Sequence, residues 1–92
     1  MRIIGRNSGE IRIELDETTL FKGIIVSIKG ERLPNGFCAY ADSMKVFDDS
    51  MVLSADEKKQ IASYINDWAS QQESIYLEKS NETISGYEII VR

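Results

Sequence analysis

The sequence SADEKKQIASYINDWAS (residues 54–70) decides the fold class, because it carries the clearest helix signal in the chain. Ser54 and Glu57 match the S-x-x-E capping box, in which the hydroxyl and the carboxylate each satisfy an unpaired backbone amide. Apolar residues then recur with helical spacing and form one stripe: Ile61, Tyr64, Ile65 and Trp68. The stretch predicts one amphipathic helix that begins at Ser54 and ends near Gln72.

The sequence on both sides of this helix predicts short β-strands. Residues 10–15 alternate strictly, with Ile11, Ile13 and Leu15 on one face, which is typical of a strand with one solvated face. The other predicted strands cover residues 20–29, 37–41, 74–79 and 85–92, and residues 2–4 add a short edge. Residues 80–83 are expected to join the last two strands as a hairpin.

Two connections are predicted before the helix. Residues 30–36 contain Pro34 and end in Asn35-Gly36, a combination that indicates a loop and a hairpin. Residues 43–46 are expected to form a short helical turn, followed by a crossing loop that places Phe47 and Met51 against the core. The predicted fold is one α+β domain over residues 1–92, with an antiparallel sheet of about five strands and one long helix on one face, in the order β-β-β-(short turn)-α-β-β.

Composition excludes several kinds of catalytic site. The 92-residue chain has no histidine, so it cannot form a Ser-His-Asp or Cys-His arrangement of its own. Cys38 is the single cysteine, which excludes an intramolecular disulfide and a single-chain structural zinc site, and we expect it to be a small buried apolar residue. We therefore predict no catalytic residue, no metal ligand, no cofactor and no enzymatic activity.

Carboxylates are the remaining acid–base groups. Asp48 and Asp49 are adjacent, but neighbours in a loop usually point apart, and Asp-Asp-Ser is a common turn sequence. The spacing of Asp42, Asp48, Asp49 and Asp56 does not match a calcium-binding loop. Tyr40 and Tyr76 are the aromatic residues that we expect at the surface, where tyrosine often anchors a protein interface.

The acidic residues concentrate in the second part of the chain. Residues 1–36 hold six basic and five acidic side chains, whereas residues 37–92 hold five basic and ten acidic ones. The net charge of −4 therefore comes from the second part, which is expected to attract a cationic partner and to speed its association. A solvated acidic surface that only aids solubility is the alternative. This balance does not favour a nucleic-acid partner.

The apolar runs are short. The longest, residues 24–28, falls far short of the roughly 20 residues that span a bilayer, and the N-terminus lacks the apolar stretch of a signal peptide. We expect no membrane association and a cytoplasmic location.

The middle of the chain resembles small bacterial immunity proteins, which neutralise polymorphic toxins, including those of contact-dependent growth inhibition. Two stretches carry the resemblance: residues 36–45 (GFCAYADSMK) with Phe47 and the two following acids, and residues 53–61 (LSADEKKQI). Residues 9–13 and 75–78 also fit the pattern. Phe47 stands where the pattern has tryptophan, no proline follows the acidic pair, and residues 80–92 form an additional strand.

The resemblance implies binding without chemistry: an immunity protein occupies the active site or a substrate-binding face of its toxin, which is often a basic nuclease. The acidic residues that we predict to contact such a toxin are Asp42, Asp48, Asp49, Asp56, Glu57 and Asp67. The alternative is another binding module, such as an adaptor, an oligomerising subunit or a phage protein, and a homo-oligomer remains open. In that case the edge of the strand at residues 20–28 or the final hairpin would be buried between copies.

Overall fold

The computed structural model describes residues 1–16, 21, 23–47 and 49–92. Within these residues the chain forms eight strands, one 3-10 turn and one α-helix. In chain order the elements are β1 (Arg2–Arg6), β2 (Glu10–Glu14), β3 (Ile25–Leu33), β4 (Gly36–Ala39), the 3-10 turn (Ala41–Ser43), β5 (Lys45–Val46), α1 (Ala55–Ser70), β6 (Ser74–Leu77), β7 (Glu82–Ser85) and β8 (Glu88–Val91). The predicted α+β class with one helix is confirmed.

The strands form a mixed sheet in the order β7-β6-β1-β2-β3-β4-β8, and β5 pairs with β3. The pairs β1–β6 and β4–β8 are parallel, and the other pairs are antiparallel. The prediction of about five antiparallel strands is therefore wrong in both number and direction. The reason is that β6 and β8 pair with strands far away in the sequence, which places β1 inside the sheet rather than at its edge.

The last predicted hairpin is divided differently. Residues 82 and 83, predicted to be connection, belong to β7, which pairs with β6, and the turn covers residues 78–81 and ends at Asn81, whose φ is 51°. Gly86 then ends the strand with a φ of 68°, which favours glycine. This turn sends β8 away from β7 and beside β4, where Phe37 pairs with Ile89.

Strand β3 continues through the predicted loop at residues 30–33. Its first half pairs with β2 and β5, and its second half pairs with β4. Gly30 is the first residue of β3 that pairs with β4, and only glycine fits there because a Cβ would lie 2.1 Å from the carbonyl oxygen of Cys38. The hairpin turn itself is Pro34-Asn35, as the sequence indicates. Positions 20 and 22 of the predicted strand lie outside the described residues.

The 3-10 turn replaces the helical turn predicted at residues 43–46. Its three residues lie between β4 and β5, which both pair with β3. The Ser43 hydroxyl accepts a hydrogen bond from the Lys29 amide at 2.8 Å and donates one to the Tyr40 carbonyl at 2.7 Å. Ser43 thus occupies the gap that the turn opens in the strand ladder.

Helix α1 is the element that the sequence predicted most closely. The capping box of Ser54 and Glu57 is present, and the helix ends at Ser70 rather than Gln72. Ile61 and Ile65 are fully buried, and α1 packs mainly against β8. Burying one such side chain stabilises the fold by about 1.5–3 kcal/mol. Trp68, the last residue of the predicted apolar stripe, is partly buried and packs against the core.

Candidate functional site

The segment between β5 and α1 exposes large apolar side chains. Val52 is 87% exposed, Met51 41% and Phe47 40%. The prediction that Phe47 and Met51 pack against the core is therefore wrong. Met44, Val46 and Leu53 occupy the core positions instead, and because side chains alternate along β5, Phe47 lies on the opposite face from Val46.

One face of the Phe47 ring is covered by a cation. The Arg12 guanidinium carbon lies 4.0 Å from the ring centroid, a cation–π contact. The same guanidinium is held by Glu10, whose Oε1 accepts a hydrogen bond from Arg12 Nε at 2.9 Å. Phe47 is thus fixed on the outside of the sheet.

Met51 and Val52 line a shallow hollow of about 320 Å³. Charged side chains share this lining, namely Asp49, Lys45 and Lys58. Asp49 also shapes the segment, because its Oδ1 accepts a hydrogen bond from the Met51 amide at 2.9 Å. Such a short side-chain-to-backbone bond two residues ahead forms an Asx turn, which holds Val52 outward. An apolar centre with a charged rim is typical of a protein interface.

Lys58 links one predicted site residue that lines this hollow to a second that lies beside it. Asp42 is exposed on the 3-10 turn, and its carbonyl oxygen accepts a hydrogen bond from Lys58 Nζ at 3.1 Å. Asp49 lines the same hollow as Lys58. Asp56 is exposed in the first turn of α1, but it lies two residues before Lys58, about 200° around the helix axis, so it does not face the hollow. The predicted site residue Asp48 lies outside the described residues.

Glu57 has a structural role that accounts for its carboxylate. Its Oε1 accepts a hydrogen bond from the Ser54 amide at 2.9 Å, and the Glu57 amide donates to the Ser54 hydroxyl at 3.1 Å. These two bonds fix the start of α1 next to the exposed segment. Glu57 therefore holds the surface in place rather than offering an unoccupied carboxylate to a partner.

Asp67 lies away from the other predicted site residues. It is exposed on α1, nine positions after Lys58, which corresponds to half a revolution around the helix and about 14 Å along its axis. Asp67 therefore faces a different side of the protein and does not join the surface around Val52. The sequence places it correctly on the outer face of the helix, but charge alone grouped it with the others.

Tyr40 and Tyr76 are both exposed, as predicted. The Glu31 carboxylate raises the pKa of the Tyr40 phenol above its ordinary 10.0 by like-charge repulsion, and partial burial adds to this effect. The Tyr76 hydroxyl donates a hydrogen bond to Asn81 Oδ1 beside the turn between β6 and β7. Neither side chain lines the hollow beside Val52.

Among the described residues, no group of three or more carboxylates or thiols lies close enough together to hold a metal ion. Cys38 is buried on β4. No helix in the described part of the chain is long and apolar enough to cross a bilayer. No family model, curated protein or solved structure matches this chain.

Proposed function

We propose that this chain is a bacterial immunity protein that binds and neutralises a cognate toxin domain in the cytoplasm. The observation that carries the proposal is the solvent-exposed Val52, 87% accessible on a segment in which Asp49 accepts a hydrogen bond from the Met51 amide. Val52 and Met51 supply the apolar centre, Asp49 shares the lining of their hollow, and Asp42 is joined to that lining through Lys58. We call these four residues the Val52 surface.

The chemistry of the Val52 surface favours a cationic protein partner. A few side chains that become fully buried near the middle of an interface contribute most of the binding energy, and charges at its rim mainly set the association rate. The carboxylates of this surface belong to Asp42 and Asp49, which lie near Lys45 and Lys58, and Lys58 Nζ donates a hydrogen bond to the Asp42 carbonyl oxygen. A toxin that binds nucleic acid presents basic side chains, which this rim complements.

Neutralisation of this kind needs no reaction on the immunity protein. The chain binds one toxin domain and covers the face that holds its substrate, so that inhibition is stoichiometric. Support for the toxin as partner comes from the resemblance of residues 36–45 and 53–61 to immunity proteins. Both stretches flank the Val52 surface, since the first ends at β5 and the second begins α1.

The test first asks whether a toxin domain is encoded next to this chain's gene, and then measures binding to that domain by calorimetry and protection as growth during toxin expression. Replacing Val52 with Asp is expected to abolish protection, because an apolar anchor becomes a desolvated charge. Replacing Asp42 and Asp49 with Asn should slow association about three- to tenfold at low salt and reduce the salt dependence. Asn at position 49 keeps an acceptor for the Met51 amide, so the segment keeps its shape.

Asp67→Asn is the matched control, because it removes one exposed aspartate on another side of α1. Its association rate is expected to stay within about twofold of the unchanged chain. If Asp67→Asn lowers the association rate as much as the Asp42/Asp49 double substitution does, the Val52 surface is not where the toxin binds. The absence of any binding to the neighbouring toxin domain would contradict the immunity function itself.

One observation favours an oligomerising module as the second candidate. Strand β7 is one of the two end strands of the sheet and pairs only with β6 among the described strands. Its free edge offers backbone donors and acceptors to a second copy of the chain. Light scattering decides between the two candidates. A stable dimer that Thr83→Pro converts to monomers supports the oligomerising module, and a chain that is monomeric at all concentrations rejects it.

A further inference from the structure

A bulge in β1 creates two adjoining hollows away from the Val52 surface. Ile3 pairs with Ile13 but Gly5 pairs with Arg12, so Ile4 is an extra residue in β1. The hollows measure about 260 and 270 Å³, and both are lined by Gly5, Arg6 and Lys79. Arg12 and Glu10 complete the charged lining of the first, and Arg32 that of the second.

Positive charge dominates this part of the surface. Glu10 is the one carboxylate residue that lines either hollow in the described chain, and it pairs with Arg12 at 2.9 Å. Arg6, Arg32 and Lys79 form no ion pair with a carboxylate of the described residues. Three cations thus converge on one place in a protein whose net charge is −4. Their mutual repulsion falls when an anion binds between them.

Arg6 is already held in position for such an anion. Its Nη1 donates a hydrogen bond to the Tyr87 hydroxyl at 2.8 Å, and its guanidinium carbon lies 5.4 Å from the Tyr87 ring centroid. Tyr87 is itself buried, so this support is rigid. Holding a guanidinium in place before binding lowers the conformational entropy lost on binding.

Gly5 keeps the space beside Arg6 open. A Cβ at position 5 would meet only Lys79 Cδ, at 3.9 Å, so an incoming group can approach the backbone of the bulge. Each hollow is smaller than the about 300–1,000 Å³ of pockets for drug-sized ligands, which suits a small group. The site therefore combines small size with three cations that form no ion pair among the described residues.

We propose that Arg6, Arg32 and Lys79 bind the phosphate group of a small ligand. Phosphate carries up to two negative charges and several acceptor oxygens, which match two guanidinium groups and an ammonium group better than a single carboxylate does. The phosphate site and the Val52 surface share no residue, so the phosphate proposal can be tested independently of the toxin-binding proposal.

The test is an NMR titration of the full chain with inorganic phosphate at constant ionic strength, in parallel with adenosine 5′-monophosphate and acetate. Saturable shifts are expected at the Gly5, Arg6 and Lys79 amides. Exchanging Arg32 and Lys79 together for Gln should weaken phosphate binding at least about tenfold, because two charge-assisted contacts are lost. Both residues are exposed, so the doubly substituted chain is expected to fold normally.

Lys59→Gln is the control, because it removes an exposed lysine of α1, and it should change the phosphate affinity less than about twofold. Tighter binding of adenosine 5′-monophosphate than of inorganic phosphate identifies a phosphate ester as the ligand, and equal affinity assigns the site to free phosphate. Acetate binding with the affinity of phosphate overturns the proposal, and so does an unchanged phosphate affinity in the Arg32/Lys79 variant.

Discussion

The side-chain amide of Asn66 pairs with the backbone of Val91 as a neighbouring strand would. Asn66 Nδ2 donates a hydrogen bond to the Val91 carbonyl at 2.9 Å, and the Val91 amide donates to Asn66 Oδ1 at 2.8 Å. The register with β4 turns these Val91 groups toward the outer edge of β8. One helix residue thus joins α1 to the last strand and covers part of an open edge.

Asn66→Ala is expected to lower the free energy of unfolding by about 1–3 kcal/mol, because it leaves the Val91 amide and carbonyl without their partner in a partly buried place. Urea unfolding followed by circular dichroism measures the change. Ser63→Ala, on the exposed face of the same helix, should alter stability by less than about 0.5 kcal/mol. Equal effects of the two substitutions would mean that the pairing contributes nothing.

Gly30→Ala is expected to lower the free energy of unfolding by at least about 2 kcal/mol, because the new Cβ would overlap the backbone of β4. The carbonyl oxygen of Cys38 would lie only 2.1 Å away. Gly9→Ala provides the control, since nothing lies within 4 Å of its Cβ position. Thermal unfolding of the two variants should separate them clearly, and a Gly30→Ala chain as stable as Gly9→Ala would contradict the close strand approach.

Val52 and Leu53 are neighbours with opposite surroundings, so they offer a sharp comparison. Leu53 is buried in the core, and Leu53→Ala should lower the free energy of unfolding by about 2–4 kcal/mol. Val52→Ala should change it by less than about 0.5 kcal/mol, because the side chain is exposed. Chemical denaturation of both variants checks this, and a large loss for Val52→Ala would show that Val52 packs against the protein.

The phenol of Tyr40 should titrate later than an ordinary tyrosine, because the Glu31 carboxylate raises its pKa. In the unfolded chain this phenol ionises near 10.0, before the folded one does. Its contribution to stability is therefore complete below pH 10 and is lost as the pH rises through the folded pKa. NMR titration of the Tyr40 ring should show that Glu31→Gln lowers this pKa, whereas Glu82→Gln leaves it unchanged.

The sequence predicts local features of this fold better than distant pairings. The capping box and apolar stripe of α1 specify a helix within one segment, and the strict alternation of residues 10–15 specifies β2. The parallel pairings β1–β6 and β4–β8 leave no such local signal, because each depends on strands that meet only after the chain has folded. The number and order of strands therefore could not be read from the sequence.

The candidate site shows the same division. Sequence charge identified Asp42 and Asp49, which lie beside one exposed segment, but it also grouped Asp56 and Asp67 with them. Helical spacing turns Asp56 and Asp67 away from Lys58, and this could have been worked out from residue numbers alone. The outward orientation of Phe47 could also have been predicted, since Met44 and Val46 alternate with Lys45 and Phe47 in the sequence. No sequence pattern predicted that Val52 is exposed beside the buried Leu53.

The two parallel pairings also govern how this chain reaches its structure. They join Ile3 to Leu77 and Phe37 to Ile89, so most of the chain must be enclosed in a loop before either pairing forms. Closing long loops lowers entropy before any contact compensates for it, and proteins rich in such contacts fold slowly. The β1–β2 and β3–β4 hairpins and α1 are expected to form first, and the junctions made by β6 and β8 to close last.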